Sequence, residues 1–123
     1  MGHYEMMDEL RMWFRANAAR LKAPPLSARL RRSETEDETL TTPLYSASFD
    51  LESGNFIAAF GVWATGDLSV IIMDKKTKKE VVIDDRRIEK AVDIGAIFDH
   101  YCHQIISGGP FSKYQYEATA ADG

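Results

Sequence analysis

Residues 45–88 read YSASFDLESGNFIAAFGVWATGDLSVIIMDKKTKKEVVIDDRRI, and this stretch decides the fold class. Tyr45, Ala47, Phe49 and Leu51 alternate with Ser46, Ser48, Asp50 and Glu52. That period of two describes an antiparallel strand with one face buried and the other in water. Ser53-Gly54-Asn55 has turn chemistry. Residues 56–64 are apolar at both parities, which predicts a central strand covered on each side. Thr65-Gly66-Asp67 turns the chain into a second apolar run at 68–73, and Asp74 opens a polar hairpin loop carrying four lysines. Residues 80–88 return as a strand that becomes polar at Asp84-Asp85-Arg86-Arg87. Successive hairpins of this kind make an antiparallel meander.

Outward from the meander the period changes. Over residues 4–21, Met7, Leu10, Phe14 and Leu21 lie near one helical stripe with Trp13 at its margin, while Glu5, Asp8, Arg11 and Arg15 face away. Pro24-Pro25 stops that helix. A short strand fits 26–32, with Leu26, Ala28 and Leu30 on one side. After the meander, Asp93 reads as the N-cap of a helix to 106, with Ile94, Ile97, Phe98, Tyr101 and Ile105 at helical spacing and Gly108-Gly109-Pro110 beyond its end. The expected fold class is α+β: an N-terminal helix, an antiparallel β-meander of four to five strands and a C-terminal helix, with the helices packed on one sheet face. The other face is then free for a partner. A single domain over residues 1–108 is expected, with 109–123 as a partly disordered C-terminal tail.

The chain has 123 residues, 45% of them hydrophobic, which suits one core. A net charge of −4 argues against a nucleic-acid binder. No apolar run approaches the roughly 20 residues of a membrane span, and no signal peptide is visible at the N-terminus. Cys102 is the single cysteine, so a reducing, cytoplasmic setting is expected. The charge is segregated. Residues 1–32 hold seven basic and three acidic side chains, whereas 33–54 hold six acidic and no basic ones. The acidic block is densest at 33–38. Such a run is ordinarily a solvated loop; the functional alternative is an acidic lobe that meets a basic partner.

Catalytic and metal chemistry find little support. His100 and His103 share a helical face, but a zinc site needs at least a third ligand. Cys102 and His103 are adjacent on a helix and point apart, and Cys102 reads better as a small buried hydrophobe. Asp84 and Asp85 fall on opposite faces of a strand, which rules out a carboxylate pair acting across one substrate. Gly108-Gly109 is followed by proline, which has no amide to offer an anion. No catalytic residue, cofactor, metal or small-molecule substrate is therefore expected.

Several stretches together carry a resemblance. Trp13-Phe14 lies in the first helix, and Phe49-Asp50-Leu51-Glu52-Ser53-Gly54-Asn55-Phe56-Ile57-Ala58 leads into Val62-Trp63-Ala64-Thr65-Gly66-Asp67-Leu68. A strand ending in Asp74, the hairpin around Thr77 and the helix around Phe98 follow. This arrangement resembles the TriTu family of immunity proteins, whose pattern is a Trp-Phe helix, a V-W-x-S-G turn, a hairpin and a C-terminal amphipathic helix. Thr65 stands at the hydroxyl position of that turn. The likeness covers about half the chain closely and the first helix more loosely. The acidic insert at 34–38 and the chain beyond Gly108 depart from the pattern.

The resemblance implies an antitoxin whose partner is an ADP-ribosyltransferase effector of an Rhs-type polymorphic toxin, delivered by type VI secretion and directed at elongation factor Tu. Tight inhibition calls for desolvated anchors in an electrostatically matched patch. The toxin-binding candidates are Glu34, Glu36, Asp37 and Glu38 in the acidic block, Asp84 and Asp85 late in the meander, and Trp63 as an aromatic anchor. The ordinary reading of Trp63, between Val62 and Ala64, is a core residue. An adaptor or secretion chaperone, binding an effector without inhibiting it, fits the same small acidic composition.

Overall fold

The computed structural model describes residues 5–31 and 46–116. Helix α1 (Glu5–Leu21) is followed by strand β1 (Ser27–Leu30). Strands β2 (Ser46–Glu52), β3 (Phe56–Trp63), β4 (Asp67–Asp74) and β5 (Glu80–Arg87) come next, and helix α2 (Asp93–Ser107) ends the series. The five strands form one antiparallel sheet in the order β1-β2-β3-β4-β5. The expected α+β class and element order hold.

Alternation in β2 places Ala47, Phe49 and Leu51 inward, and the register sets them opposite Val62, Phe60 and Ala58 of β3. Phe49 lies flat on Phe60, with ring centroids 4.6 Å apart and planes 5° from parallel. Three further rings close on Phe49: Trp13 at 5.6 Å and Phe14 at 5.1 Å from α1, and Phe98 at 5.6 Å from α2. Trp13 also meets Phe98 edge-on at 5.4 Å, and its indole N–H donates to Asp99 Oδ1 at 3.2 Å. Both helices are thereby held to the same side of the sheet, to each other as well as to the strands.

Two expectations change. β3 is the central strand, yet it is covered on one side only: Phe56, Ala58, Phe60 and Val62 are buried, while Ile57 and Ala59 are exposed. Both helices lie on one face, and among the described residues no other layer packs on the second. Second, the N-cap of α2 is Val92, with no side-chain cap, and Asp93 is the first helical residue. The bonds Asp93 N–H to Lys90 O and Ile94 N–H to Ala91 O start the turn one residue early. Asp93 still places its carboxylate where the helix dipole favours it.

Beyond α2 the described chain stays against the body. Gly108, in the left-handed region at φ 82°, ends α2, and residues 109–116 then return along the inner face. Phe111 packs edge-on against Phe56 at 4.8 Å, and Ser112 and Tyr114 bond to α2. Tyr45 and residues 117–123 lie outside the described residues.

A core confined to one face has a measurable consequence. Phe49→Ala is expected to cost about 3–5 kcal/mol in urea denaturation. Ile57→Ser, on the same sheet but the opposite face, is expected to stay within about 0.5 kcal/mol of the parent.

Candidate functional site

The side of the sheet without helices is built by the outward parity of every strand. Register aligns Arg29, Asp50, Ala59, Ile71 and Ile83 in one row, and Ser48, Gly61, Ser69 and Asp85 in the next. The face is apolar toward one end, where Ile57, Ile71, Val81 and Ile83 are between 36% and 48% exposed. Toward the other end its floor is small and hydroxylic. A shallow groove of about 760 Å³ runs there, lined by Arg29, Arg31, Ser48, Asp50, Gly61, Trp63 and Ser69 among others. A second groove of about 750 Å³ shares Arg29, Arg31, Asp50, Ala59 and Ile71 with it and extends to Ile57 and Met73.

Trp63 stands on this face, half-buried, and not in the core as its apolar neighbours suggested. Gly61 makes the placement possible. A Cβ built on Gly61 would lie 3.6 Å from Cη2 of the indole, so the ring rests along the sheet over the glycine. The ring forms a wall of the groove on one side and borders a further hollow, with Asp67, Asp85 and Arg87, on the other.

Ionic pairs frame the face. Arg31 Nε donates to Asp50 Oδ2 at 2.8 Å, and that bond with the carboxylate charge holds the guanidinium pKa above its ordinary value. Lys75 pairs with Glu52 and also donates to the Ser53 carbonyl at 2.8 Å. These contacts lie at the surface and contribute little stability singly. Their effect is to fix where charge sits.

The predicted acidic candidates part company. Asp84 and Asp85 take opposite faces, as strand alternation requires. Asp85 is exposed on the open side. Asp84 is 1% exposed on the helix side, which removes it from any surface offered to a partner. Arg86, two residues on and therefore on the same face, grips it twice, Nε to Oδ1 at 2.9 Å and NH2 to Oδ2 at 2.7 Å. The Tyr101 hydroxyl donates to Oδ2 at 2.5 Å and accepts the Tyr114 N–H at 2.9 Å, while Arg86 also donates to the Tyr114 carbonyl at 2.8 Å. Glu34, Glu36, Asp37 and Glu38 lie outside the described residues; Arg31 and Ser46, the described residues that border their segment, both line the first groove.

The groups weighed for chemistry are occupied otherwise. The His100 ring nitrogen Nε2 is 2.7 Å from the Ser112 carbonyl, and the ring packs edge-on against Tyr101 and Tyr114. His103 is exposed. Cys102 is fully buried, and burial pushes its thiol pKa up to about 12, so it stays protonated at neutral pH. Among the described residues no three His, Cys, Asp or Glu side chains gather where a metal ion could sit. No helix among them is long and apolar enough to cross a membrane.

Among the described residues nothing packs on this partly apolar sheet face, and Trp63 walls its groove. The family model described as immunity protein TriTu matches residues 8–104. The chain belongs to the TriTu family of immunity proteins. No curated protein and no solved structure matches it. An immunity role, with a toxin protein as partner, follows from that membership. The matched span of this TriTu protein runs from the first turns of α1 almost to the end of α2, so it takes in the whole described open face.

Two sets of residues escaped the sequence. The outward aliphatics Ile57 and Ile71 lie in strands that read as apolar throughout, and outward Ile83 stands just before the polar turn of its own strand. The Asp84–Arg86–Tyr101–Tyr114 cluster had one usable signal: Asp84 and Arg86 share the parity of buried Val82, so two opposite charges were due to point inward together.

Asp84 also sets a pH dependence. Burial alone would raise its pKa, but the hydrogen bonds from Arg86 and Tyr101 and the Arg86 charge outweigh it and hold the carboxyl below its usual value of 3.8. A carboxylate depressed in the folded state adds stability that is fully present above the unfolded pKa. That stability is lost as pH falls through the folded value. Asp84→Asn is expected to cost roughly 3–5 kcal/mol at neutral pH by stranding Arg86. The gap from wild type should narrow in urea titrations as pH is taken below about 4.

Proposed function

We propose that this protein protects the cell that makes it by binding an ADP-ribosyltransferase effector domain and occluding it, with no chemistry of its own. The effector would be of the kind carried by Rhs-type polymorphic toxins and delivered by type VI secretion, met in the cytoplasm. The observation that carries the reading is the uncovered sheet face of a TriTu-family chain, four large aliphatic side chains and a half-buried tryptophan standing where a second layer would otherwise pack. Apolar patches of this kind mark interaction sites. Five strands at about 4.8 Å spacing, each some seven residues long, give a face on the order of 500 Å² in projection. With its rim loops that approaches the roughly 800 Å² per partner of a standard interface.

Within this reading Trp63 is the aromatic anchor, and Asp85 lies on the same face. Glu34, Glu36, Asp37 and Glu38 supply carboxylates that mimic the anionic diphosphate of NAD, for which a transferase cleft holds a cation. Occlusion requires only that the bound face or the acidic segment cover the NAD site or the surface that receives the target protein.

Co-expression with the cognate transferase domain is expected to restore growth, and purified protein should block NAD-dependent modification by the folded enzyme. A chaperone would bind the effector and leave that activity untouched, so an uninhibited enzyme in a stable complex overturns the proposal. Trp63→Ala is expected to weaken inhibition by about tenfold or more, as loss of a hot-spot aromatic does. Joint charge reversal of Glu34, Glu36, Asp37 and Glu38 should weaken it severalfold, and an unchanged affinity refutes their part.

A further inference from the structure

The charges in the two middle rows of the open face are unevenly satisfied. Arg31 and Asp50 neutralise each other. Arg29 stands directly opposite Asp50 in the β1–β2 register, yet Asp50 is already taken, and Arg29 has no hydrogen-bond or ion-pair partner among the described residues. At the other end of these rows Asp85 likewise has none, whereas its neighbour Arg87 donates to the Thr65 carbonyl at 2.9 Å. Both free charges are exposed. They lie on the two edge strands, four strand intervals or about 19 Å apart. Between them the rows hold Ala59, Ile71 and Ile83, then Gly61 and Ser69, with no further charge beyond the Arg31–Asp50 pair.

We infer that the toxin surface seated on this sheet is apolar at its centre and carries a carboxylate over Arg29 and a cation over Asp85, so that charge fixes which way round it docks. The inference rests on the docking reading and adds a direction to it. A partner that buries Ile71 and Ile83 necessarily brings Arg29 and Asp85 to the interface rim. There, like charges repel and opposite charges steer encounter. An apolar strip alone fits a partner in either sense across the strands. Within these two rows, the cation at the β1 edge and the anion at the β5 edge fit only one.

The test uses the full-length protein and its cognate toxin domain, comparing Arg29→Glu, Asp85→Lys, the double variant and Ile71→Glu. All three positions lie outside the core, and unchanged thermal unfolding confirms that each variant is folded. Arg29→Glu and Asp85→Lys are each expected to raise the half-inhibitory concentration severalfold at low salt. The loss should shrink at roughly 1 M salt, where the screening length falls to about 3 Å. Sites about 19 Å apart should act independently, so the double variant should show the product of the two fold-changes. Ile71→Glu should lose inhibition at either salt. If both charge swaps inhibit like wild type while Ile71→Glu fails, the polarity is overturned and the docking face stands. If Ile71→Glu inhibits as well as wild type, the docking face falls, and the polarity with it.

Discussion

Phe49 receives a ring from the sheet beneath it and rings from both helices above it, and this shared contact dictates the layering. An aromatic pair in offset or edge-on geometry contributes roughly 0.5–1.5 kcal/mol beyond the area it buries, and Phe49 takes part in four such pairs. α1 and α2 cannot separate onto opposite faces without dismantling that cluster. The Trp13–Asp99 hydrogen bond adds a direct tie between the helices at its edge. A chain with two helices and one five-stranded sheet could cover both faces thinly or one face well. The ring cluster selects the second, and the open face is its complement.

The buried Asp84 acts at the other end of the same layer. Enclosing a carboxylate is costly unless its lone pairs are filled, and here Arg86 and Tyr101 fill them. Tyr101 lies on α2, Arg86 on β5 and Tyr114 on the returning segment, so one cluster joins three parts of the chain. Burial and the bond to Asp84 push the Tyr101 hydroxyl pKa up to about 12, which keeps it a donor at all ordinary pH. Arg86 also lies against the rings of Tyr114 and Tyr116, at 5.5 and 5.4 Å. The consequence for function is indirect. By closing the β5 side of the helix layer, the cluster holds steady the strand whose outer side carries Ile83 and Asp85.

The meander was legible because alternation in β2 and the turn residues at 53–55 and 65–67 admit few other arrangements. That one sheet face would stay free was legible from two helices and one sheet, but which side chains stand on it was not, for a physical reason. A strand apolar at both parities has the same pattern whether its second side meets a helix of its own chain or a protein made by another gene. Ile57 in β3 and Ile71 in β4 look like core in sequence because both environments select the same side chains. Trp63 misled for the same cause, and only its spacing from Gly61 hinted that the ring would lie over a residue with no side chain. The segment 109–116 was hidden differently. Its docking depends on single contacts, Phe111 on Phe56 and Tyr114 on Tyr101, that leave no periodic trace.

The open face is also suited energetically to tight binding by a small protein. Association loses the freedom of every side chain it immobilises, about 0.5–1.5 kcal/mol for each flexible one. Here the central side chains of the face are β-branched Ile57, Ile71, Val81 and Ile83, held on paired backbone and already narrowed to few rotamers, along with Ala59, which has none to lose. Trp63 has two side-chain torsions, and Gly61 beneath it already sets where the ring lies. Apart from Glu52 on β2, which Lys75 pairs, the long flexible charges of this face are kept to the edge strands and the hairpin loop, where they can steer without being frozen. A rigid apolar centre with mobile charged margins spends little of its contact energy on ordering. On the docking proposed above, a chain with one small core would hold its toxin through a face that its own helices leave free.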